Sequence, residues 1–508
     1  MTDKTIRRLT PEHIATDLFS ILIDRDQRAS AVCAETLLTL LANGYKAPTN
    51  GKLTSPKRQR FAIRSLTLGE NFLRQRNTGR AAEDEMTPQL YGEILAAGDS
   101  VSGSANLDLA QKAFKGLLDP TTQRGQRGTW LLFPFHESLL WYDARPNGSN
   151  GPWGVRKVYM RGSGITLARM LADPADPALA ELGHSAVAAM QEALQKPSPL
   201  AEIADRLEGA LDEQFHIPPQ TENDEKEAWR DGDSKKLDDL TAAMCRHSEG
   251  VMRQGTASGP AKLWQLRNMI GLDLACHALR VAWDTTEMPE RDRYLLLSFG
   301  DAPRPDNRVR QRSEDTYQLA RIRLSEATVR TLAQRMHQLA KEGCSDWRSQ
   351  FEQRSADRLQ EVISDLRRLP PDAPIDEYMR VARTATEQAT YGRAGEGFRV
   401  LLESIGMLAG AGSYRYLTAT PEILSAFVGA LSVQMPMSSD AFFRAVFDEW
   451  RIVIAQEAAA HTSLADQLDG ASLERNGRRA EQLMSEAGLA LSLSDRTTIV
   501  GERARRLR

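Results

Sequence analysis

The sequence predicts a mainly α, multi-domain protein with a small inserted β-sheet and a second β element at its C-terminal end. Three observations lead there. Apolar residues recur at spacings of three and four through much of the chain, the period of a helix with one buried face. Residues 128–167 and 489–500 carry β-branched, aromatic or alternating runs bounded by turn formers. The 508 residues exceed one domain of about 100–200 residues, and 26% charged with 41% hydrophobic residues is the balance of a folded chain.

Residues 9–47 read as helices, on Ile14, Leu18, Ile21 and Leu22, then Val32, Leu37, Leu38 and Leu41, with Asp26 as a cap. A basic tract follows, Lys52, Lys57, Arg58, Arg60, Arg64, Arg74, Arg76 and Arg80, opposed within it only by Glu70. The segments Thr129–Phe135, Ser138–Tyr142 and Val155–Met160, separated by the turn Asn147–Pro152, read as a small sheet. Arg161–Thr166 then opens an amphipathic helix through Leu167, Met170 and Leu171.

Residues 215–240, from Pro218–Pro219 through Asp238 and Asp239, read as an acidic linker or exposed loop. Helical spacing returns at Leu263, Leu266, Ile270 and Leu274, and an arginine-rich helix is predicted over 312–341. Prolines 370, 371 and 374 mark a further boundary. The expected organisation is therefore a helical N-terminal domain 1–127, a β element plus helices 128–214, the linker 215–240, a helical middle domain 241–370, a helical platform 371–460 and a terminal module 461–508. In that module a charged helix with apolar Leu473, Ala480, Leu483 and Met484 leads through Gly488 to the short strands Leu489–Leu493 and Thr497–Val500. Helix, glycine break and hairpin together are the local grammar of a winged helix-turn-helix.

Net charge is −3, so no global positive field draws the molecule onto nucleic acid and any such contact is local. Cys33, Cys245, Cys276 and Cys344 include no CxxC pair, which argues against zinc-finger spacing and a disulfide framework and fits a reducing cytoplasm. No signal-type apolar segment opens the chain and no apolar run reaches the ~18 residues that span a bilayer, so no membrane association is expected.

Nucleotide and hydrolase motifs are missing. Gly255–Lys262 resembles a phosphate-binding loop, but Pro260 removes an amide and no hydroxyl follows Lys262. The glycine runs 161–166 and 392–397 offer amides to an anion at a helix N-terminus without the GxGxxG frame. Eight histidines form no HExxH or HxH pair, and Cys245/His247 and Cys276/His277 are spaced too closely to share a metal on one helix face. No metal and no cofactor is assigned. Asp231, Asp233 and Lys235 carry the residue types of a metal-dependent nuclease, within the acidic segment.

Arginine clusters are the candidate binding residues, because a planar guanidinium contacts phosphate bidentately. One cluster is Arg308, Arg310 and Arg312; the other is Arg475, Arg478 and Arg479 with the tail Arg503, Arg505, Arg506 and Arg508. The runs Ala441-Phe-Phe, Phe447-Asp-Glu-Trp-Arg-Ile-Val-Ile, Ala487-Gly-Leu, Leu493-Ser-Asp and Ile499-Val resemble the C-terminal part of accessory proteins of bacterial antiphage systems of the BREX, DISARM and phosphorothioate-dependent restriction kind. The resemblance covers the last quarter of the chain and carries no catalytic residue. It implies a DNA-proximal or complex-forming role beside an ATPase, methyltransferase or nuclease encoded elsewhere. The reading is a non-enzymatic, cytoplasmic component of a defence assembly that contacts DNA and protein partners. Its rivals are a metal-dependent nuclease or nucleotide-processing enzyme with a dispersed site, and a scaffold without nucleic-acid contact.

Overall fold

Periodicity converts into helices throughout the computed structural model. It describes residues 9–25, 27–46, 136–137, 140, 144–146, 153–155, 162–196, 234–255, 257–300, 307–343, 348, 360–370, 372–389, 392–432, 436–494 and 497–501. In chain order the helices are α1 (Pro11–Phe19), α2 (Ala29–Ala42), α3 (Ser163–Ala172), α4 (Pro177–Leu194), α5 (Ser234–Met252), α6 (Gly259–Thr285), α7 (Arg308–Lys341), α8 (Gln360–Arg368), α9 (Ile375–Gln388), α10 (Ala394–Ser404), α11 (Pro421–Ser432), α12 (Ser439–Trp450), α13 (Gln456–Ala459) and α14 (Gly470–Glu486). The strands are short: β1 (Ala144–Pro146), β2 (Trp153–Val155), β3 (Leu295–Leu296), β4 (Leu408–Ala409), β5 (Tyr416–Leu417), β6 (Met437–Ser438), β7 (Ile452–Val453), β8 (Ala490–Ser494) and β9 (Thr497–Val500). The protein is mainly α. Among the described residues no helix is long and apolar enough to cross a membrane.

The chain divides into two compact units, one of residues 30–230 and 257–264, the other of residues 1–29, 231–256 and 265–508. In the first, α3 packs against α4, and the antiparallel pair β1–β2 flanks the predicted turn 147–152, which itself lies outside the described residues. The predicted strand 129–135, the basic tract 52–80 and, apart from the buried Leu140, the predicted strand 138–142 also lie outside them. Here α3 begins at a glycine N-cap, and its amides are held by the buried Glu35 of α2, whose carboxylate accepts from Gly162 N at 3.0 Å and Gly164 N at 2.8 Å. Gly164 lets the two helices close: a Cβ there would stand 2.5 Å from Glu35 Cβ and 2.6 Å from Thr36 N.

In the second unit the 34-residue α7, about 51 Å long at 1.5 Å per residue, is the axis, packed against α1, α9, α10, β3 and β5. One core joins Ile14 of α1, Leu332 and Met336 of α7, Leu366 of α8 and Tyr378 and Val381 of α9. Another gathers Tyr294, Leu296, Val309, Phe447, Val453, Leu464 and Leu473 around the parallel pair β3–β7. Two predicted boundaries are corrected. The acidic segment 215–240 does not run to its end as a loop, because residues from Ser234 onward are the first turns of α5. The arginine-rich helix starts at Arg308 rather than 312, because the Asn307 side chain caps it by accepting from Arg310 N at 2.9 Å.

Candidate nucleic-acid interface

The C-terminal residues form a three-stranded antiparallel sheet in the order β6–β9–β8, with α12 and α14 packed beside it and α11 packed against those two helices. Local chemistry sets each boundary. Ser438, still in β6, caps α12 by accepting from Ala441 N at 3.2 Å. Asp469 caps α14, with one carboxylate oxygen accepting from Ser472 N at 2.8 Å and the other from Ser472 Oγ at 2.9 Å. Gly488, at φ +71°, ends α14. Its N–H reaches Ser485 O at 3.0 Å and Leu489 N reaches Met484 O at 2.8 Å, the paired bonds of a Schellman stop that turns the chain into β8. Met437 then pairs with Val500 and Leu491 with Ile499, and the hairpin carries a bulge between Ser492 and Ser494.

The buried stripe of α14 is Leu473, Asn476, Gly477, Ala480 and Met484. Asn476 is the polar member, and both its amide hydrogens and its carbonyl oxygen are bonded. Nδ2 donates to Leu297 O and Ile454 O, each at 2.8 Å, and Oδ1 accepts from Phe299 N at 2.8 Å. This side chain fixes the rotation of α14 about its axis, so Arg475, Arg478, Arg479 and Gln482 are left on the outer face. Arg478 pairs with Glu474 at 2.6 Å, Arg475 donates to Ser472 Oγ at 3.0 Å and Arg479 to Gln482 Oε1 at 3.1 Å. Exposed contacts of this kind are worth up to about 1 kcal/mol, so exchanging them for phosphate costs little.

The first turns of α7 hold the other arginine cluster. Arg308 is exposed, Arg312 pairs with Asp315 at 3.1 Å, and Arg310 lies over the Tyr416 ring at 4.3 Å and 3.6 Å from the buried Glu314. Arg310 is thus a packing arginine, and Arg308 and Arg312 carry the surface charge of this turn. Val309 and Leu473 belong to one core cluster, which brings the N-terminal turns of α7 and α14 together although some 160 residues separate them. Arg503, Arg505, Arg506 and Arg508 lie outside the described residues.

Comparison with protein-family models, curated proteins and solved structures finds no match to this chain. The remaining chemistry rests on its own residues.

A buried polar constellation escaped the sequence reading. His247 of α5, 2% exposed, places Nδ1 3.0 Å from both carboxylate oxygens of Asp273 on α6. Trp450 Nε1 donates to Asp273 Oδ1 at 2.9 Å. His247 Nε2 stands 3.3 Å from Glu449 Oε1, an ion-pair separation without hydrogen-bond alignment, and Arg246 closes the chain to Glu449 at 2.9 Å. Burial opposes the imidazolium, but Asp273 and Glu449 outweigh it and raise the His247 pKa to about 9. Burial likewise opposes the Glu449 carboxylate, yet His247 and Arg246 hold it down at about 2. Burial pushes the thiol of Cys245 up to about 11 and that of Cys276 up to about 12. The cluster is a charged strut joining α5, α6 and α12. Residue types alone hinted at it, since spacing along the chain says nothing about which helices are neighbours.

Gly162 and Gly164 bond to Glu35 rather than to an external anion. The run 392–397 serves close packing, since a Cβ on Gly397 would stand 2.6 Å from Asp24 N. Asp231 and Asp233 lie outside the described residues, Lys235 falls in the first turn of α5, and among the described residues no three His, Cys, Asp or Glu side chains are grouped to hold a metal.

Proposed function

We propose that this chain is a non-enzymatic, DNA-contacting component of a multi-subunit assembly, and that its C-terminal module works as a winged helix. The strand order β6–β9–β8 carries the reading. A winged helix places a short strand before its second helix and pairs it with the last strand of the terminal hairpin, as β6 precedes α12 and pairs with β9. The helices α11, α12 and α14 then take the three helical positions, and α14 presents Arg475, Arg478 and Arg479 outward as a recognition helix would. One departure is the connection from α12 to α14, where β7, α13 and the turn 463–466 replace the usual short link.

Membership of a bacterial antiphage assembly rests on the sequence resemblance within 441–500. Cytoplasmic placement is supported by Cys33, Cys245 and Cys276, each a buried free thiol. A protein partner is the second reading, favoured by Glu474, Glu481 and Glu486 on the same helix as the three arginines, since mixed charge suits a protein surface as well as phosphate.

The test is fluorescence anisotropy of the full chain with a labelled duplex across a salt series. Affinity that falls steeply with salt, weakened and with a flatter slope in Arg478→Ala/Arg479→Ala, supports the DNA reading. A wild-type chain that ignores duplex at low salt overturns it and leaves the protein-partner reading.

A further inference from the structure

A groove of about 610 Å³ lies between α7, α9 and the start of α10, and its lining includes none of Arg475, Arg478 and Arg479. Most of its charges are already matched. Arg321 is paired with Glu396, Glu326 accepts from Arg323 at 2.8 Å, and Arg393 donates to the main-chain carbonyls of Ala389 and Glu387. Two are not: among the described residues, neither the Arg383 guanidinium nor the Glu387 carboxylate has a partner. They stand four apart on the outer face of α9, with the arginine N-terminal to the glutamate, the poorer order for pairing along one helix. Between them and α7 the groove presents Ile322, 59% exposed, with Leu319 at 37% one turn earlier.

We propose that a second copy of this chain occupies this groove about a two-fold axis, with Arg383 of each copy meeting Glu387 of the other and Ile322 covered between them. A two-fold interface needs a patch complementary to itself. Opposite charges four residues apart on one helix satisfy that requirement, because antiparallel α9 helices form both ion pairs at once. A partner of a single charge sign would cover one of the two groups and leave the other desolvated and unpaired. The apolar Ile322 and Leu319 supply the burial that ion pairs at a rim do not. The inference does not depend on the DNA reading.

Sedimentation velocity of the full chain without nucleic acid, over a concentration series at low salt, tests it. The expected result is a monomer–dimer equilibrium weakened by about tenfold or more in Arg383→Glu and in Glu387→Arg. The double variant Arg383→Glu/Glu387→Arg restores it to near the wild-type value. Both residues are exposed, so thermal melts of the variants at a concentration where the wild type is monomeric should overlay it and exclude misfolding. Ile322→Asp should also weaken the dimer. A monomer at every concentration, a dimer indifferent to the single reversals, or a double reversal that fails to restore it would each overturn the proposal.

Discussion

The imidazole of His247 faces Asp273 with Nδ1 at 3.0 Å from both carboxylate oxygens, inside a core where both side chains are 2% exposed or less. Trp450 donates to one of those oxygens and Glu449 stands at ion-pair distance from Nε2, so α5, α6 and α12 are tied by charge as well as by packing.

Stability should depend on pH through this strut. The folded His247 pKa of about 9 lies above its ordinary 6.5, so the contribution is complete below pH 6.5 and is lost as pH rises through 9. Glu449, at about 2 against 4.5, gives the mirror case: its contribution is present above pH 4.5 and lost as pH falls through 2. The alkaline loss is of the order of 3 kcal/mol at about 1.4 kcal/mol per unit. Urea unfolding followed between pH 6.5 and 9 should show this decline in the wild type and a flatter profile in His247→Gln.

Removing the other partner is costlier than neutralising the pair. Asp273→Asn leaves a buried imidazolium facing a neutral amide and should cost about 3–5 kcal/mol in denaturant unfolding. A cost under 1 kcal/mol would mean that the strut is dispensable.

Asn476→Ala should destabilise the C-terminal module by about 3 kcal/mol or more, because Phe299 N, Leu297 O and Ile454 O lose their partner together. Amide exchange in α14 should accelerate with it. Arg475→Ala, one position away on the outer face, should leave melting nearly unchanged.

Gly164→Ala should cost about 1–3 kcal/mol, since the new methyl meets the backbone of Thr36 and the Val32 carbonyl, which cannot rotate aside as a side chain can. Glu35→Gln tests the same junction by charge. It keeps the shape but removes the charge and sets an NH2 donor where one carboxylate oxygen accepted, so the amide of Gly162 or Gly164 loses its partner, with an expected cost of about 1–3 kcal/mol.

What the sequence made legible is what short-range chemistry controls. Gly488 and the alternation after it locate the terminal hairpin, the serines 438 and 439 before an aromatic amphipathic run offer a cap to α12 that Ser438 fills, and the three–four spacing from Leu263 to Leu274 marks α6. The pairings that define the module are remote. Met437 meets Val500 and Leu295 meets Ile452, and a two-residue strand has too few positions to show a period of two. The same distance hid the buried site: His247, Asp273 and Glu449 come from three helices, and nothing local to any of them names the others. Arg310 shows the converse. Its place in a basic run read as phosphate-facing, but its guanidinium stacks on Tyr416 of a hairpin that folds back from a hundred residues later.

The most direct measurement is hydrogen–deuterium exchange of the full chain with and without a saturating duplex at low salt. The account predicts protection concentrated in 470–486 and 490–500, reduced in Arg475→Ala/Arg478→Ala/Arg479→Ala. An exchange pattern unchanged by duplex, or protection confined to segments outside 437–500, would contradict it.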